Sequence, residues 1–169
     1  MKPAFVIRPA TVADSHPIAA TIRAAWQTAY DGIIDPAYPP TIDVDRMAAF
    51  FVRNIQENQE TILVAALRVG IAGFIAGNDL SAADHDCEIK GFYLRPEYQR
   101  QNIGKQLFAA LADEFRRQGK KRMLAVTLRG AANNGFYRHL GGREQPGPDL
   151  TIGKRSYAAV HFMFPITST

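Results

Sequence analysis

Apolar positions recur along the chain with two periods, and the changes of period mark the element boundaries. Phe5, Val6 and Ile7 form a short strand-like run over residues 5–8 that Pro9 ends. Ile18, Ile22, Ala25, Trp26 and Ala29 fall three and four apart, which predicts an amphipathic helix capped by Thr11 or Asp14 and ending near Gly32. The breaker-rich Asp35-Pro36-Ala37-Tyr38-Pro39-Pro40 is a loop, and Asp43 opens a second helix with Met47, Phe50, Phe51 and Ile55 along one side. Residues 62–67, 71–76 and 88–94 are rich in branched and aromatic side chains and read as three consecutive antiparallel strands. Ile103, Leu107, Leu111 and Phe115 mark a long helix ending at Gly119, with Arg116, Arg117, Lys120 and Lys121 near its negative end. A buried strand at 123–127, a helix at 133–140 stopped by Gly141-Gly142, and tail strands at 143–145 and 157–164 complete the pattern. Residues 147–156 read as a mobile loop.

A chain of 169 residues with this mixed pattern predicts one α+β domain spanning 1–169. An apolar share of 47% against 21% charged residues excludes disordered and fibrous classes. No apolar run approaches the roughly 18 residues of a membrane span, and Met1-Lys2-Pro3 leads straight into a strand-like run, so the expectation is a cytoplasmic protein with no membrane partner. One cysteine, Cys87, rules out an internal disulfide and reads as a small packing residue. The four histidines show no metal-ligand spacing, and no metal is expected. Twenty Lys and Arg against 16 Asp and Glu is a small basic surplus; dispersed as it is, it predicts no nucleic-acid partner but suits a small polyanion.

The chemistry concentrates between Glu88 and Leu107, where a strand passes through a turn into the long helix. Backbone N–H groups of Gln99, Arg100, Gln101, Asn102, Ile103 and Gly104, with the positive end of the helix dipole, form an anion cradle to which Arg100 and Lys105 add charge. Read as bare residues, the same stretch is also compatible with an ordinary loop. It lacks GxxxxGK[ST] and GxGxxG, which disfavours P-loop and dinucleotide sites.

Gln99-x-x-Asn102-x-Gly104, preceded by Phe92-Tyr93-Leu94-Arg95-Pro96 and followed by Lys105-Gln106-Leu107, resembles the coenzyme A signature Q/R-x-x-G-x-G/A of the GNAT family of N-acetyltransferases. Ile7-Arg8-Pro9-Ala10-Thr11, Trp26-x-x-x-Tyr30-x-Gly32-Ile33 and Phe136-Tyr137-Arg138-His139-Leu140-Gly141 extend the likeness over most of the chain. Asn102 departs from the usual Gly but is the non-glycine residue that best tolerates a left-handed backbone. Gly130 stands where the family often has Asn, and Gly142 where it has an aromatic residue.

The resemblance implies a mixed, mostly antiparallel central sheet of six or seven strands, splayed between strands four and five, with about four helices packed on both faces. It implies acetyl-CoA as acyl donor and an amine acceptor, with direct transfer in a ternary complex. The backbone of Phe92, Tyr93 and Leu94 would bond the pantetheine arm, Gly91 would mark a bulge, and Asn133 or Asn134 would replace the missing Asn contact. A Lys-like amine is neutral in only about one molecule in 2,500 at pH 7, so a general base is useful. Glu88 matches the family's frequent acid there, and Tyr137 the general acid that protonates the leaving thiolate. Each has a plain alternative, Glu88 as a solvated strand-end carboxylate and Tyr137 as a ring packed on the sheet. Trp26 and Tyr30 are expected to line the acceptor pocket. Members often pair as homodimers, and the alternating tail strand suits an interface or the sheet equally. The alternative function is a non-catalytic acyl-CoA sensor of the same fold.

Overall fold

A computed structural model describes residues 3–80, 82 and 84–167; the opening Met1-Lys2 lies outside them. Among the described residues the order is β1 (Val6–Pro9), α1 (Ser15–Ala29), α2 (Val44–Glu57), β2 (Thr61–Ala66), β3 (Ile71–Asp79), β4 (Cys87–Leu94), α3 (Ile103–Arg117), β5 (Arg122–Leu128), α4 (Asn134–His139), β6 (Arg143–Gln145), β7 (Leu150–Ile152), β8 (Arg155–Tyr157) and β9 (Ala159–Pro165). Seven strands form one sheet in the order β1-β2-β3-β4-β5-β9-β6, and β7 and β8 form a separate hairpin. Every neighbouring pair is antiparallel except β4 and β5, which run parallel.

Two irregularities in β4 shape everything above it. Its pairing with β5 covers only Cys87↔Met123, Glu88↔Leu124 and Ile89↔Ala125, after which the strands part. Its pairing with β3 jumps from Gly77↔Ile89 to Ala76↔Gly91, so Lys90 is the extra residue of a β-bulge beside Gly91. The bulge reverses side-chain parity. Cys87 and Ile89 below it, and Phe92 and Leu94 above it, all pack on the core under α3, while Tyr93 faces α1 and α2.

Each face of the sheet is buried by helices whose apolar stripes the periodicity announced. On one face Ile18 and Ile22 of α1 and Phe51 of α2 cover Val64, Phe74 and Ala76. On the other, Leu107, Leu111 and Phe115 of α3 cover Ile75, Ile89, Met123 and Phe162. Each fully buried side chain of this size stabilises the fold by about 1.5–3 kcal/mol. Asp43 caps α2 as its position suggests, accepting from the N–H groups of Asp45 and Arg46 at 3.0 Å.

The chain departs from the sequence pattern mainly at its tail. Residues 157–164 are not one strand: β8 ends at Tyr157 and β9 begins at Ala159. Residues 147–156, read as a mobile loop, hold β7 and the start of β8, whose pairing is Leu150↔Tyr157, Thr151↔Ser156 and Ile152↔Arg155. The hairpin is held by packing that no local pattern reveals, because Leu150, Ile152 and Tyr157 join Tyr30 and Ile34 in a small cluster. The Tyr157 hydroxyl also accepts no such local help; it bonds the Asp35 N–H at 3.1 Å across 122 positions of chain. The alternating apolar residues of β9 are used inside the sheet, between β5 and β6.

Asp14 anchors the entry to α1. Its buried carboxylate takes Arg8 through two bonds of 2.7 and 3.1 Å and the Thr11 N–H at 2.7 Å. Burial opposes ionisation, but the bonds from Arg8 and Thr11 outweigh it and hold the carboxyl below its usual range. A carboxylate so depressed contributes stability above its unfolded pKa and loses it as pH falls through the folded value. Asp14→Asn is expected to cost about 1–2 kcal/mol at pH 7. In urea titrations the difference from wild type should shrink progressively below about pH 4. A difference that does not depend on pH would refute the ionic account.

Candidate active site at the sheet split

The turn that follows β4 braces itself with its own side chains. Gln99 Nε2 donates to the Leu94 carbonyl at 3.4 Å, Gln101 Nε2 to the Glu97 carbonyl at 2.9 Å, and the Arg95 guanidinium lies 5.4 Å from the Tyr98 ring centre. Arg100 and Asn102 both adopt left-handed backbone, with φ of 58° and 67°. Asn102 is the N-cap of α3 and makes no side-chain cap bond, which leaves the N–H groups of the first turn, Ile103, Gly104 and Lys105, without partners inside the helix. Arg100 and Lys105 are exposed beside them. The arrangement, at the positive end of a 15-residue helix, can hold an anion.

Gly104 has a steric task as well. A Cβ there would lie 3.0 Å from Leu94 Cδ1 and 3.3 Å from Phe136 Cζ, so a glycine lets α3 approach β4 and α4 closely. The other two unusual glycines also have local reasons. Gly130 has φ of 79°, and a Cβ at Gly142 would lie 2.7 Å from the Phe164 ring, which already occupies that space.

Glu88 and Tyr137 flank the split. Glu88 sits in the last paired rungs of β4 and β5 on the face opposite Cys87 and Ile89. Its side chain is 16% exposed and lies 3.6 Å from Lys90 Nζ, so it is not a solvated strand end. Tyr137 reaches the split from α4 on the α3 side, its ring stacked on Phe162 at 5.4 Å and edge-on to Phe92 at 6.3 Å. The ring therefore does pack on the sheet. Burial keeps its phenol protonated far above the ordinary range.

Trp26 and Tyr30 stand together on α1, ring centres 4.8 Å apart, and border a cleft of about 420 Å³ with Asp31, Ile34, Pro36 and Pro39. Trp26 Nε1 donates to the Tyr93 hydroxyl at 3.0 Å. The sequence marks Tyr93 only through its backbone, yet its side chain ties β4 to α1 across 67 residues, a contact with no linear signal. Burial raises the phenols of both Tyr30 and Tyr93.

The two asparagines after β5 differ in kind. Asn134 is locked, accepting from Thr127 Oγ1 and donating to the Leu128 carbonyl at 3.0 Å. Asn133 Oδ1 is buried with no partner. Phe92, Tyr93 and Leu94 keep their pairing with β3, while among the described residues no strand pairs with the other side of β4 beyond Ile89, which leaves that backbone edge open. Cys87 is fully buried and its thiol is pushed up to about 12, chiefly by burial, which suits a packing residue and not a nucleophile. No described helix is long and apolar enough to cross a membrane.

Comparison with known proteins bears on this arrangement at two levels. The model of the acetyltransferase (GNAT) family matches residues 23–141. No curated protein matches the chain. Among solved structures, the PaiA N-acetyltransferase of Thermoplasma acidophilum in complex with coenzyme A is 20% identical, with a TM-score of 0.76 over 94% of this chain and 98% of that one. YncA of Salmonella typhimurium with its cofactor acetyl-CoA is 22% identical, TM-score 0.73, covering 98% and 96%. The ribosomal-protein-alanine N-acetyltransferase of Brucella melitensis is 20% identical, TM-score 0.73, covering 95% and 99%. At these identities the structures speak to the fold, while the family match spans the α1 cleft, the split, the anion turn and α4. With more than half of its length matched by the family model, and a sheet that parts between β4 and β5 above a helix N-terminus, the chain belongs to the acetyltransferase (GNAT) family.

Proposed function

We propose that the protein transfers an acetyl group from acetyl-CoA to a primary amine of a small molecule or peptide, by direct attack in a ternary complex. The observation that carries this reading is the placement of Glu88 and Tyr137 on opposite faces of the same split. Acyl transfer to an amine needs one proton removed from the acceptor and one delivered to the leaving group, and two groups that reach the split from different elements can each do one of these.

In this reading the first-turn N–H groups of α3 hold the pyrophosphate, with Arg100 and Lys105 adding charge. The open edge of Phe92 to Leu94 bonds the pantetheine arm as an added strand, and one of its N–H groups polarises the thioester carbonyl. Asn133 Oδ1, buried and unpartnered, accepts an amide N–H of that arm. The acceptor enters beside Trp26 and Tyr30. Glu88 takes a proton from the amine through a water, leaving the nitrogen lone pair free to form the C–N bond. Tyr137 gives its hydroxyl proton to the departing thiolate as the C–S bond breaks, the nitrogen of the adduct loses its second proton to solvent as the amide forms, and Tyr137 regains a proton from solvent. Its raised pKa keeps that proton available at all working pH values. The three departures from the family pattern lend no support to a non-catalytic sensor: Asn102 adopts the left-handed turn, and Gly130 and Gly142 fit their surroundings.

Two measurements test this. With acetyl-CoA and a panel of primary amines, thiol release should fall by roughly 100-fold or more in Glu88→Gln and in Tyr137→Phe, with acetyl-CoA binding retained. Wild-type rates in both variants would sink the catalytic assignment. In thermal unfolding, acetyl-CoA at about 100 times its Kd should stabilise the wild type by roughly 2.7 kcal/mol. Asn102→Gly should preserve this shift, while Asn102→Val, β-branched at a positive φ, should diminish it. An undiminished shift in the valine variant would show that the turn does not hold the ligand.

A further inference from the structure

Asn78 lies directly opposite Glu88 in the β3–β4 register, so the two side chains share the α1 and α2 face of the sheet. Its Oδ1 is buried and has no hydrogen-bond partner. A buried amide oxygen without a donor is unfavourable, and its nearest cross-strand neighbour makes the situation worse, since an ionised carboxylate has only lone pairs to offer. No described residue relieves it. Once Glu88 has taken a proton, however, the resulting carboxylic acid carries an O–H that can donate.

We propose that Asn78 is a positioning residue for the base, its Oδ1 accepting the hydrogen bond that Glu88 can donate only after it has taken the amine's proton. The inference rests on the reading of Glu88 as the base. The step balances simply. An amine N–H bond breaks, a Glu88 O–H bond forms through the intervening water, the nitrogen keeps its electron pair for the new C–N bond, and the new O–H points to Asn78 Oδ1. Asn78 thereby favours the protonated acid over the carboxylate and makes Glu88 the stronger base.

The other charged and titratable groups around Glu88 are few. Lys90 on β4 lies 3.6 Å away. β5 presents Leu124 in register, and α1 brings Trp26 and Tyr30, its His16 and Arg23 being exposed. Glu60, ahead of β2, is occupied by Asn54 Nδ2 at 2.8 Å. Asp79, next to Asn78, turns to the other face, where it pairs with Lys120. Tyr93, further along β4 on the same face, accepts from Trp26 Nε1 through its hydroxyl, whereas Asn78 is the neutral group directly opposite Glu88 whose acceptor oxygen is unpartnered.

The test is the pH profile of kcat/KM, with acetyl-CoA and an amine taken from a panel of aliphatic and aromatic primary amines. Asn78→Leu should move the acidic limb to lower pH and reduce the plateau by about 3- to 10-fold. It should leave the acetyl-CoA Kd unchanged and the Tm no lower, because an unsatisfied buried acceptor has been removed. Asn78→Asp should move the acidic limb to higher pH by placing a second carboxylate beside the first. A limb that stays put in both variants overturns the proposal. A limb that rises in Asn78→Leu does so too, since it would mean that the amide Nδ2 holds the carboxylate. Glu88→Gln separates this from its parent reading: wild-type activity there overturns both, whereas lost activity with an unmoved limb in the Asn78 variants overturns this inference alone.

Discussion

One inserted residue in β4 governs the geometry of the whole site. Without the bulge at Lys90, strand alternation would put Gly91 and Tyr93 on the same face as Cys87 and Ile89, toward α3. With it, Phe92 and Leu94 close the α3 core, and Tyr93 turns to meet Trp26 of α1. Bulges also increase local twist, and this one lies at the level where β4 leaves β5. The parity reversal and the split therefore arise together, and both the open backbone edge and the partition of side chains between two faces follow from them.

That partition roots Glu88 and Tyr137 in different parts of the core. Glu88 belongs to the face covered by α1 and α2, where the cleft beside Trp26 and Tyr30 lies, and the Tyr137 ring to the aromatic cluster with Phe92, Phe136, Phe162 and Phe164. The aromatic packing fixes the Tyr137 ring against Phe92 and Phe162. On the acceptor side rigidity comes from different contacts. Arg8 and Asp14 set the start of α1, the Trp26 to Tyr93 bond ties its far end to β4, and the β7–β8 hairpin holds the loop beyond through Tyr157 and Arg155 on Asp35.

The positions that break the family pattern show how local departures are absorbed. Asn102 takes the left-handed conformation that glycine would otherwise supply, and its exposed side chain costs no packing. Gly142 lacks the usual aromatic ring because Phe164 from β9 fills the same volume. Asn133 and Asn134, adjacent in sequence, divide two tasks, one structural and one left open.

The helices, the order of the strands and the anion turn were legible in the sequence, because each is written in local periodicity, caps and punctuation: Asp43 at a helix start, the i, i+4 row from Ile103 to Phe115, the Gln99 to Gly104 spacing. Family resemblance added the sheet's central split and pointed to Glu88 and Tyr137. What the sequence could not convey were contacts between residues far apart in the chain. The Trp26 to Tyr93 bond, the hairpin cluster around Tyr30, the Phe164 ring in place of a residue at 142 and the Asn78 to Glu88 pairing leave no local mark. Each depends on the register and packing of elements distant in the chain, and the Tyr93 contact also on the bulge that turns its side chain toward α1, a one-residue shift that composition and period do not show.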